Sequence, residues 1–143
     1  DYKLGVTTPH IVFNFLDYLL WKNNKNKYSD FEFEFRNSVE HWYPQNPSDG
    51  SFDPWEDKDT FGNLCIISRS VNSKFSNLSP ESKMKSYGKM VAKGSLKLRL
   101  MGEIIQQNSN DDWINNYCKK HEEEMISILE DACKKCENDD LLL

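Results

Sequence analysis

Apolar residues recur at helical spacing near the start of the chain. Thr8 is a suitable N-cap and Pro9 suits the first helical position, so a helix is expected to run from here to about Trp21. The apolar positions share one predicted face and comprise Ile11, Val12, Phe15, Leu16, Leu19 and Leu20. The pattern therefore predicts an amphipathic helix that packs against the core.

The hydrophobic period changes from helical to alternating in the next segment. Phe31, Phe33 and Phe35 alternate with charged residues, a spacing that is typical of a half-buried strand. This strand is expected to lead directly towards Glu40 and His41.

Irregular and regular segments then follow in turn. Residues 44–60 are rich in proline, glycine, asparagine, aspartate and serine, which predicts a loop. The apolar run Leu64–Ile67 predicts a short buried strand. Residues 68–74 are polar and are expected to be helical.

The remainder of the chain is predicted to be helical. Ser79 and Pro80 suit the start of a helix that reaches about Met90, and residues 96–107 form a further helical or mixed element. Asp111 or Asp112 is expected to cap a long last helix. Its predicted buried stripe comprises Ile114, Tyr117, Cys118, His121, Met125, Ile128, Leu129 and Ala132.

Length and composition indicate one globular domain over residues 1–143. The chain is 38% hydrophobic, which is enough for a core. The strongest apolar segment, residues 11–21, is interrupted by Asn14 and Asp17 and is too short to cross a membrane. Nothing near Asp1 is similar to a signal peptide, so the expected location is cytoplasmic, as part of a longer protein.

The cysteines are too few and too unevenly spaced for a disulfide framework. Cys65 and Cys118 are expected to be small core residues. Cys133 and Cys136 form a CxxC in a helical pattern without a second ligand pair. A zinc-stabilised structural module that uses the cysteines is the least favoured interpretation.

The net charge of −5 is unusual for a protein that binds nucleic acid, but the charges are unevenly distributed. Acidic residues crowd the C-terminal third, whereas basic residues cluster in the stretch before it. Such a flank could neutralise phosphates, although a solvated helix face is its commoner meaning. The basic residues are Lys83, Lys85, Lys89, Lys93, Lys97 and Arg99.

The residues with the clearest chemical meaning are a neighbouring carboxylate and imidazole followed by two amides. A histidine can take a proton from water, and a divalent cation can hold a phosphate and its leaving group. Oxygen ligands from Glu40 and Asn72 suit Mg²⁺ or Mn²⁺ better than zinc. His41 would need a partner for its second nitrogen, such as a backbone carbonyl or the amide of Asn63.

Strand geometry restricts how Glu40 and His41 can act together. Consecutive residues of a strand point to opposite faces, so the two side chains could share a substrate only where the chain leaves regular strand geometry. A turn after Val39 would place the carboxylate at a metal and the imidazole towards water.

These residues resemble the motif of HNH, or His-Me finger, nucleases with their ββα-metal arrangement. More narrowly, residues 36–87 resemble the C-terminal HNH domain of GmrSD-type modification-dependent restriction enzymes, and the flanking helices fit that family. The motif segments are Glu40-His41-x-x-Pro44-Gln45, Gly62-Asn63-Leu64 and Asn72-x-Lys74.

The resemblance implies a role for each matching residue. It makes His41 the general base, places Glu40 and Asn72 at the divalent ion, and assigns Asn63 to bracing the loop or orienting His41. The residues expected to contact the substrate are Lys74, Arg69 and Lys83.

The chain also departs from the family pattern. Trp42 stands where an aliphatic residue is usual, a long loop follows Gln45, and Glu40 replaces aspartate or histidine. Asn63 could alternatively serve a turn and Asn72 could cap a helix, because asparagine favours both roles.

The resemblance implies an α+β fold in which a ββα-metal centre packs against an N-terminal helix and C-terminal helices. It implies Mg²⁺- or Mn²⁺-dependent cleavage of foreign or modified DNA. An N-terminal nucleotide-binding domain of the same protein is the expected partner. The alternative is a catalytically inactive HNH scaffold that binds nucleic acid or protein.

Overall fold

The computed structural model describes residues 4–48 and 53–141, with side chains described as far as residue 137. Helix α1, His10–Asn23, confirms the predicted first helix, but Pro9 rather than Thr8 takes the N-cap position and no side chain caps the helix. The Thr8 hydroxyl accepts from the Gly5 amide instead. Its buried face differs in detail from the prediction, because Phe13 is buried whereas Ile11 and Phe15 are exposed.

A two-stranded antiparallel sheet follows α1. Strand β1, Ser38–His41, pairs with β2, Leu64–Ile67, so that Glu40 lies opposite Cys65. All four residues of β2 are buried, as the apolar run predicts. The chain between the strands contains the predicted loop, of which residues 44–48 and 53–60 are described.

The strand predicted over residues 31–35 is absent, and that prediction is wrong. Phe31 is buried, but Phe33 and Phe35 are exposed, so the alternating pattern does not define one buried face. A strand needs a hydrogen-bonded partner, and β2 pairs instead with the segment that begins at Ser38.

Three helices follow β2 close to their predicted positions. Helix α2, Arg69–Phe75, begins at Ser68, whose side chain accepts a hydrogen bond from the Val71 amide. Helix α3, Pro80–Val91, is capped by Ser79, and α4 is Leu96–Ile105.

The C-terminal helical segment begins earlier than predicted. Ser109, rather than Asp111 or Asp112, is the N-cap: its hydroxyl accepts from the Asp112 amide, and the Asp112 carboxylate accepts from the Ser109 amide. Both bonds satisfy otherwise unpaired amides, which is why serine takes the cap. The chain continues as α5 (Asn110–Asp112), a π-helical stretch (Trp113–Tyr117) and α6 (Cys118–Leu141).

The core is divided between two apolar clusters. One joins α1 to β2 and α6, and the other surrounds Trp42, Tyr43 and Trp113 on the side of the motif residues. Gly62 lies so close to α6 that a Cβ there would come within 2.6 Å of the Cys118 carbonyl oxygen. Glycine is therefore required for this contact.

The predicted stripe on α6 is confirmed as a packing face, since Cys118, His121, Met125 and Leu129 are buried. Cys65 is also buried, whereas Cys133 and Cys136 are exposed. In the part of the chain that the structure describes, no helix has the length and apolar character needed to span a bilayer.

Candidate active site

The motif residues meet at a cavity of about 350 Å³ beside the end of β1. Glu40 and His41 line it from the strand, Gln45 from the following loop, and Asn72 from α2. Strand β1 continues through His41, so the turn expected after Val39 does not occur there. Both the carboxylate residue and the imidazole residue nevertheless border the same space.

His41 has a carboxylate partner that sequence reasoning missed. The Nε2 atom of His41 lies 2.8 Å from Oδ1 of Asp59, and the two side chains are 11% and 47% exposed. Hydrogen bonds from Lys58 and then His41 hold the pKa of the Asp59 carboxyl below its usual value. Asp59 is one of several acidic residues in the long loop, and its spacing gave no signal that it would reach His41.

Gln45 provides a second neighbour for the imidazole. Its side-chain nitrogen lies 3.4 Å from Nδ1 and 3.2 Å from Nε2 of His41. An atom at similar distances from both nitrogens cannot lie in the ring plane without clashing with the carbon between them. The amide of Gln45 therefore covers one face of the ring.

Glu40 is held by a buried cation at the base of the cavity. Its Oε1 atom lies 2.8 Å from Nζ of Lys83, and the side chains are 6% and 0% exposed. Lys83 also donates to the backbone carbonyls of His41 and Trp42. Burial raises the pKa of Glu40 and lowers that of Lys83, while the attraction between them opposes both shifts.

This placement of Lys83 differs from the expected substrate contact. A phosphate would need access to the ammonium, but all three of its donated hydrogen bonds go to the chain itself. Lys83 therefore anchors the end of β1 from inside the protein.

Asn63 braces the loop that follows His41. Its side-chain oxygen accepts from the Tyr43 amide and the Trp113 indole, and its nitrogen donates to the carbonyls of Tyr43 and Lys58. These four bonds use the side chain fully, since an amide has two donors and an oxygen with two lone pairs. Its described partners thus support loop bracing rather than direct orientation of His41.

The remaining candidates lie on α2. Asn72 is exposed in the middle of the helix and lines the cavity, whereas Ser68 provides the cap, so Asn72 is not a capping residue. Arg69 and Lys74 are exposed and accessible to a ligand.

The aromatic residues after His41 form packing contacts. Trp42 and Tyr43 are buried, and Trp55 meets Tyr43 edge to face with ring centroids 5.7 Å apart. The two buried rings are thus unable to stack on bases.

Within residues 4–48 and 53–141, no three His, Cys, Asp or Glu side chains come together in a group that could hold a metal ion. Cys133 and Cys136 accordingly have no third ligand of these types among the described residues. Glu40 and Asn72 are a carboxylate and an amide that line the same cavity.

Comparison with protein families gives one informative match. A family model described as the C-terminal domain of GmrSD restriction endonucleases matches residues 3–128. Searches of curated proteins and of solved structures gave no match. Because the matched segment covers most of the 143 residues, the chain belongs to the family of GmrSD restriction endonuclease C-terminal domains.

Proposed function

We propose that this domain is an HNH-type, divalent-metal-dependent DNA endonuclease in which His41 is the general base. Family membership makes it a restriction endonuclease-related domain, and DNA is the substrate of that class. The observation that carries the more specific proposal is the His41–Asp59 pair at the cavity that Glu40 and Asn72 also line.

The hydrogen bond to Asp59 determines which nitrogen of His41 can act as a base. The lowered pKa of Asp59 keeps its carboxylate ionised near neutral pH, so the carboxylate can only accept a hydrogen bond. Nε2 of His41 must then carry the proton, which leaves Nδ1 of the neutral ring with a free lone pair. Nδ1 is the atom that would remove a proton from the attacking water.

The charge on Asp59 would also help after that proton transfer. Once Nδ1 gains a proton, the ring becomes an imidazolium that remains 2.8 Å from the carboxylate. The opposite charge stabilises this form, as a carboxylate does in other base-assisted hydrolyses. Lys58 holds the other oxygen of Asp59 at 2.9 Å and thereby fixes the carboxylate in place.

The oxygen donors at the cavity fit Mg²⁺ or Mn²⁺. Glu40 and Asn72 would hold the ion, with water completing the coordination, because hard cations favour carboxylate and amide oxygens. When bound, such an ion neutralises charge on the scissile phosphate and stabilises the leaving oxygen. Lys83 occupies one oxygen of Glu40 and keeps the carboxylate in a fixed orientation.

The backbone around His41 is held from both sides. Lys83 binds the carbonyls of His41 and Trp42, while the Trp42 amide donates to the Asn63 carbonyl at 2.8 Å. Fixing the base in this way reduces the cost of reaching the reactive geometry. Arg69 and Lys74, both exposed on α2, are our candidates for phosphate contacts.

Nicking of supercoiled plasmid with Mn²⁺ or Mg²⁺ tests the proposal. We expect His41→Ala to lower the rate by about 10²- to 10⁴-fold, the usual contribution of a general base. His10→Ala, which changes an exposed histidine at the start of α1, is the matched control and should cleave normally. Equal nicking by the parent and His41→Ala would overturn the assignment.

A catalytically inactive HNH scaffold that binds nucleic acid or protein is the second candidate. One observation favours it: Glu40 is only 5% exposed and already neutralised by Lys83. The same nicking assay separates the two functions. DNA binding without cleavage in either metal would support the scaffold.

The biological setting that we propose is restriction of foreign or modified DNA in the cytoplasm. Target choice would then depend on another part of the protein, for which an N-terminal nucleotide-binding domain is the expected partner.

A further inference from the structure

A second cavity, of about 410 Å³, lies on the other side of α2 from the His41 cavity. Three cationic residues line it: Arg36 from the segment before β1, Lys89 from the end of α3 and Lys93 from the turn that follows α3. Arg36 is buried, whereas the two lysines are exposed. The one acidic residue in its wall, Glu34, lies 3.7 Å from Arg36 and is largely exposed.

The cavity is therefore positively charged overall. Lys89 and Lys93 form no ion pair with any residue in the described part of the chain, so their charges remain available. The 3.7 Å contact between Glu34 and Arg36 is longer than a normal charged hydrogen bond, so Glu34 does not neutralise the guanidinium closely.

A buried hydroxyl without a partner lies in the same wall. Ser95 occupies the N-cap position of α4, yet its side chain makes no capping bond. Asp17 takes that role, because its carboxylate accepts from the amides of Leu96 and Lys97 at 3.0 and 3.4 Å. Ser95 lines the cavity, and its buried hydroxyl has no hydrogen-bond partner among the described residues.

An unpaired buried hydroxyl is costly, so its persistence here calls for a ligand or a water. Ser68 and Ser70 add two further hydroxyls to the cavity wall, with their oxygens 3.1 Å apart. A phosphate group carries negative charge and has oxygens that accept several hydrogen bonds. A wall of cationic side chains and hydroxyl donors is therefore suited to bind one.

We propose that this cavity binds a backbone phosphate of the DNA strand that is cut at His41. The inference rests on the proposed endonuclease function and adds a second contact to it. Ser70 lines the phosphate cavity and Asn72 lines the His41 cavity, two residues apart on α2.

Strand β1 gives the scale of the separation. Ile67, which pairs with Ser38, lines the phosphate cavity, and Glu40 lines the other. Two residues of strand span about 7 Å. The strand positions beside the two cavities are therefore close enough for one DNA strand to reach both.

The test measures DNA binding without cleavage, using a fluorescent duplex in EDTA at a series of salt concentrations. We expect the double variant Lys89→Gln/Lys93→Gln to bind about tenfold more weakly and its log–log salt slope to fall by about one. The matched control is Lys134→Gln/Lys135→Gln, which removes two exposed lysines from the far part of α6. The control should bind like the parent.

Ser95→Ala separates a specific contact from general attraction. Its thermal stability should equal or exceed that of the parent, because the buried hydroxyl bonds to no described residue, while its DNA affinity should fall severalfold. The proposal is overturned if either Ser95→Ala or the Lys89/Lys93 variant binds DNA like the parent.

Competition identifies the source of the phosphate. Inorganic phosphate and a nucleoside triphosphate should displace DNA only weakly and should bind directly with low affinity. Tight binding of the triphosphate that is lost in the Lys89/Lys93 variant, with DNA affinity unchanged, would overturn the assignment to DNA. Nicking tests the proposed endonuclease function separately. If DNA binding depends on Lys89 and Lys93 but the protein does not nick DNA, only the endonuclease function is rejected.

Discussion

Glu40 and His41, consecutive residues of β1, each form an acid–base pair with a nitrogen–oxygen distance of 2.8 Å. The two pairs differ in their exposure to water. Glu40 pairs with Lys83 at the base of the cavity, where neither side chain has more than slight exposure. His41 pairs with Asp59 at the rim, where the carboxylate is about half exposed.

The two environments shift the pKa values of the Glu40 and Asp59 carboxyl groups in opposite directions. Burial raises the pKa of Glu40, whereas hydrogen bonds from Lys58 and His41 lower the pKa of Asp59. A buried pair is costly to break because the remaining charge loses its partner without regaining water. An exposed pair contributes little to stability, so the pair of His41 and Asp59 should be less costly to break.

Lys83→Met should have the largest effect on stability. We expect it to lower the free energy of unfolding by about 3–5 kcal/mol, because Glu40 becomes a buried carboxylate without its cation. Urea denaturation measures the change. The double variant Glu40→Gln/Lys83→Met should recover part of the loss, since it removes the unpaired charge as well.

Lys97→Met is the matched control for that experiment. Lys97 is also fully buried, but its ammonium donates to the Gly62 carbonyl and is not ion-paired with any described carboxylate. Burial lowers its pKa to about 8. Its replacement should cost about 1–2 kcal/mol, for an unpaired carbonyl alone. An equal loss for both variants would show that the ion pair is not the cause.

Asp59→Asn tests the exposed pair. We expect the nicking rate to fall by about tenfold, because asparagine keeps a hydrogen-bond acceptor but loses the charge that stabilises the imidazolium. DNA affinity and the midpoint of thermal unfolding should change little, since Asp59 is largely exposed.

Asp57→Asn controls for the loss of charge in the same loop. Asp57 is exposed, and its described hydrogen bond uses its backbone carbonyl. This variant should nick DNA at the parental rate. If both aspartate variants lose activity equally, Asp59 acts only through the general field of the loop.

The two carboxyl groups should also titrate in a defined order, which ¹³C NMR of the side chains can measure. The pKa of Asp59 should lie below its usual value of 3.8, and the pKa of Glu40 should lie above its usual value of 4.5. Glu40 therefore favours folding below pH 4.5, and this contribution is lost as the pH rises through its folded pKa. The contribution of Asp59 has the opposite sign: it is present above pH 3.8 and is lost as the pH falls. Ionisation of Glu40 before Asp59 would contradict the assigned environments.

Local signals were sufficient for much of the fold. The starts of α2 and α3 follow from side-chain capping by Ser68 and Ser79, and α1 begins beside Pro9; these preferences act within a few residues. The buried strand Leu64–Ile67 follows from its uninterrupted apolar run. The pattern failed for Phe33 and Phe35, because a strand is defined by a pairing partner elsewhere in the chain.

The candidate site also combines features that the sequence predicted with features that it did not. The motif spacing predicted that Glu40, His41 and Asn72 would converge, and all three line one cavity. Their chemical roles stay predictions. The partner of the imidazole and the partner of the carboxylate were not predicted: Asp59 takes a place considered for Asn63, and Lys83 is turned inward.

Short-range periodicity and residue type are sufficient to predict most of the helical segments, the buried strand β2 and the kinds of side chain available for phosphodiester chemistry. The pairing of the charges and their exposure to water could be read from the folded chain alone. Those choices arise from packing between segments many residues apart, where burial of a charge is tolerated only if the fold supplies its partner.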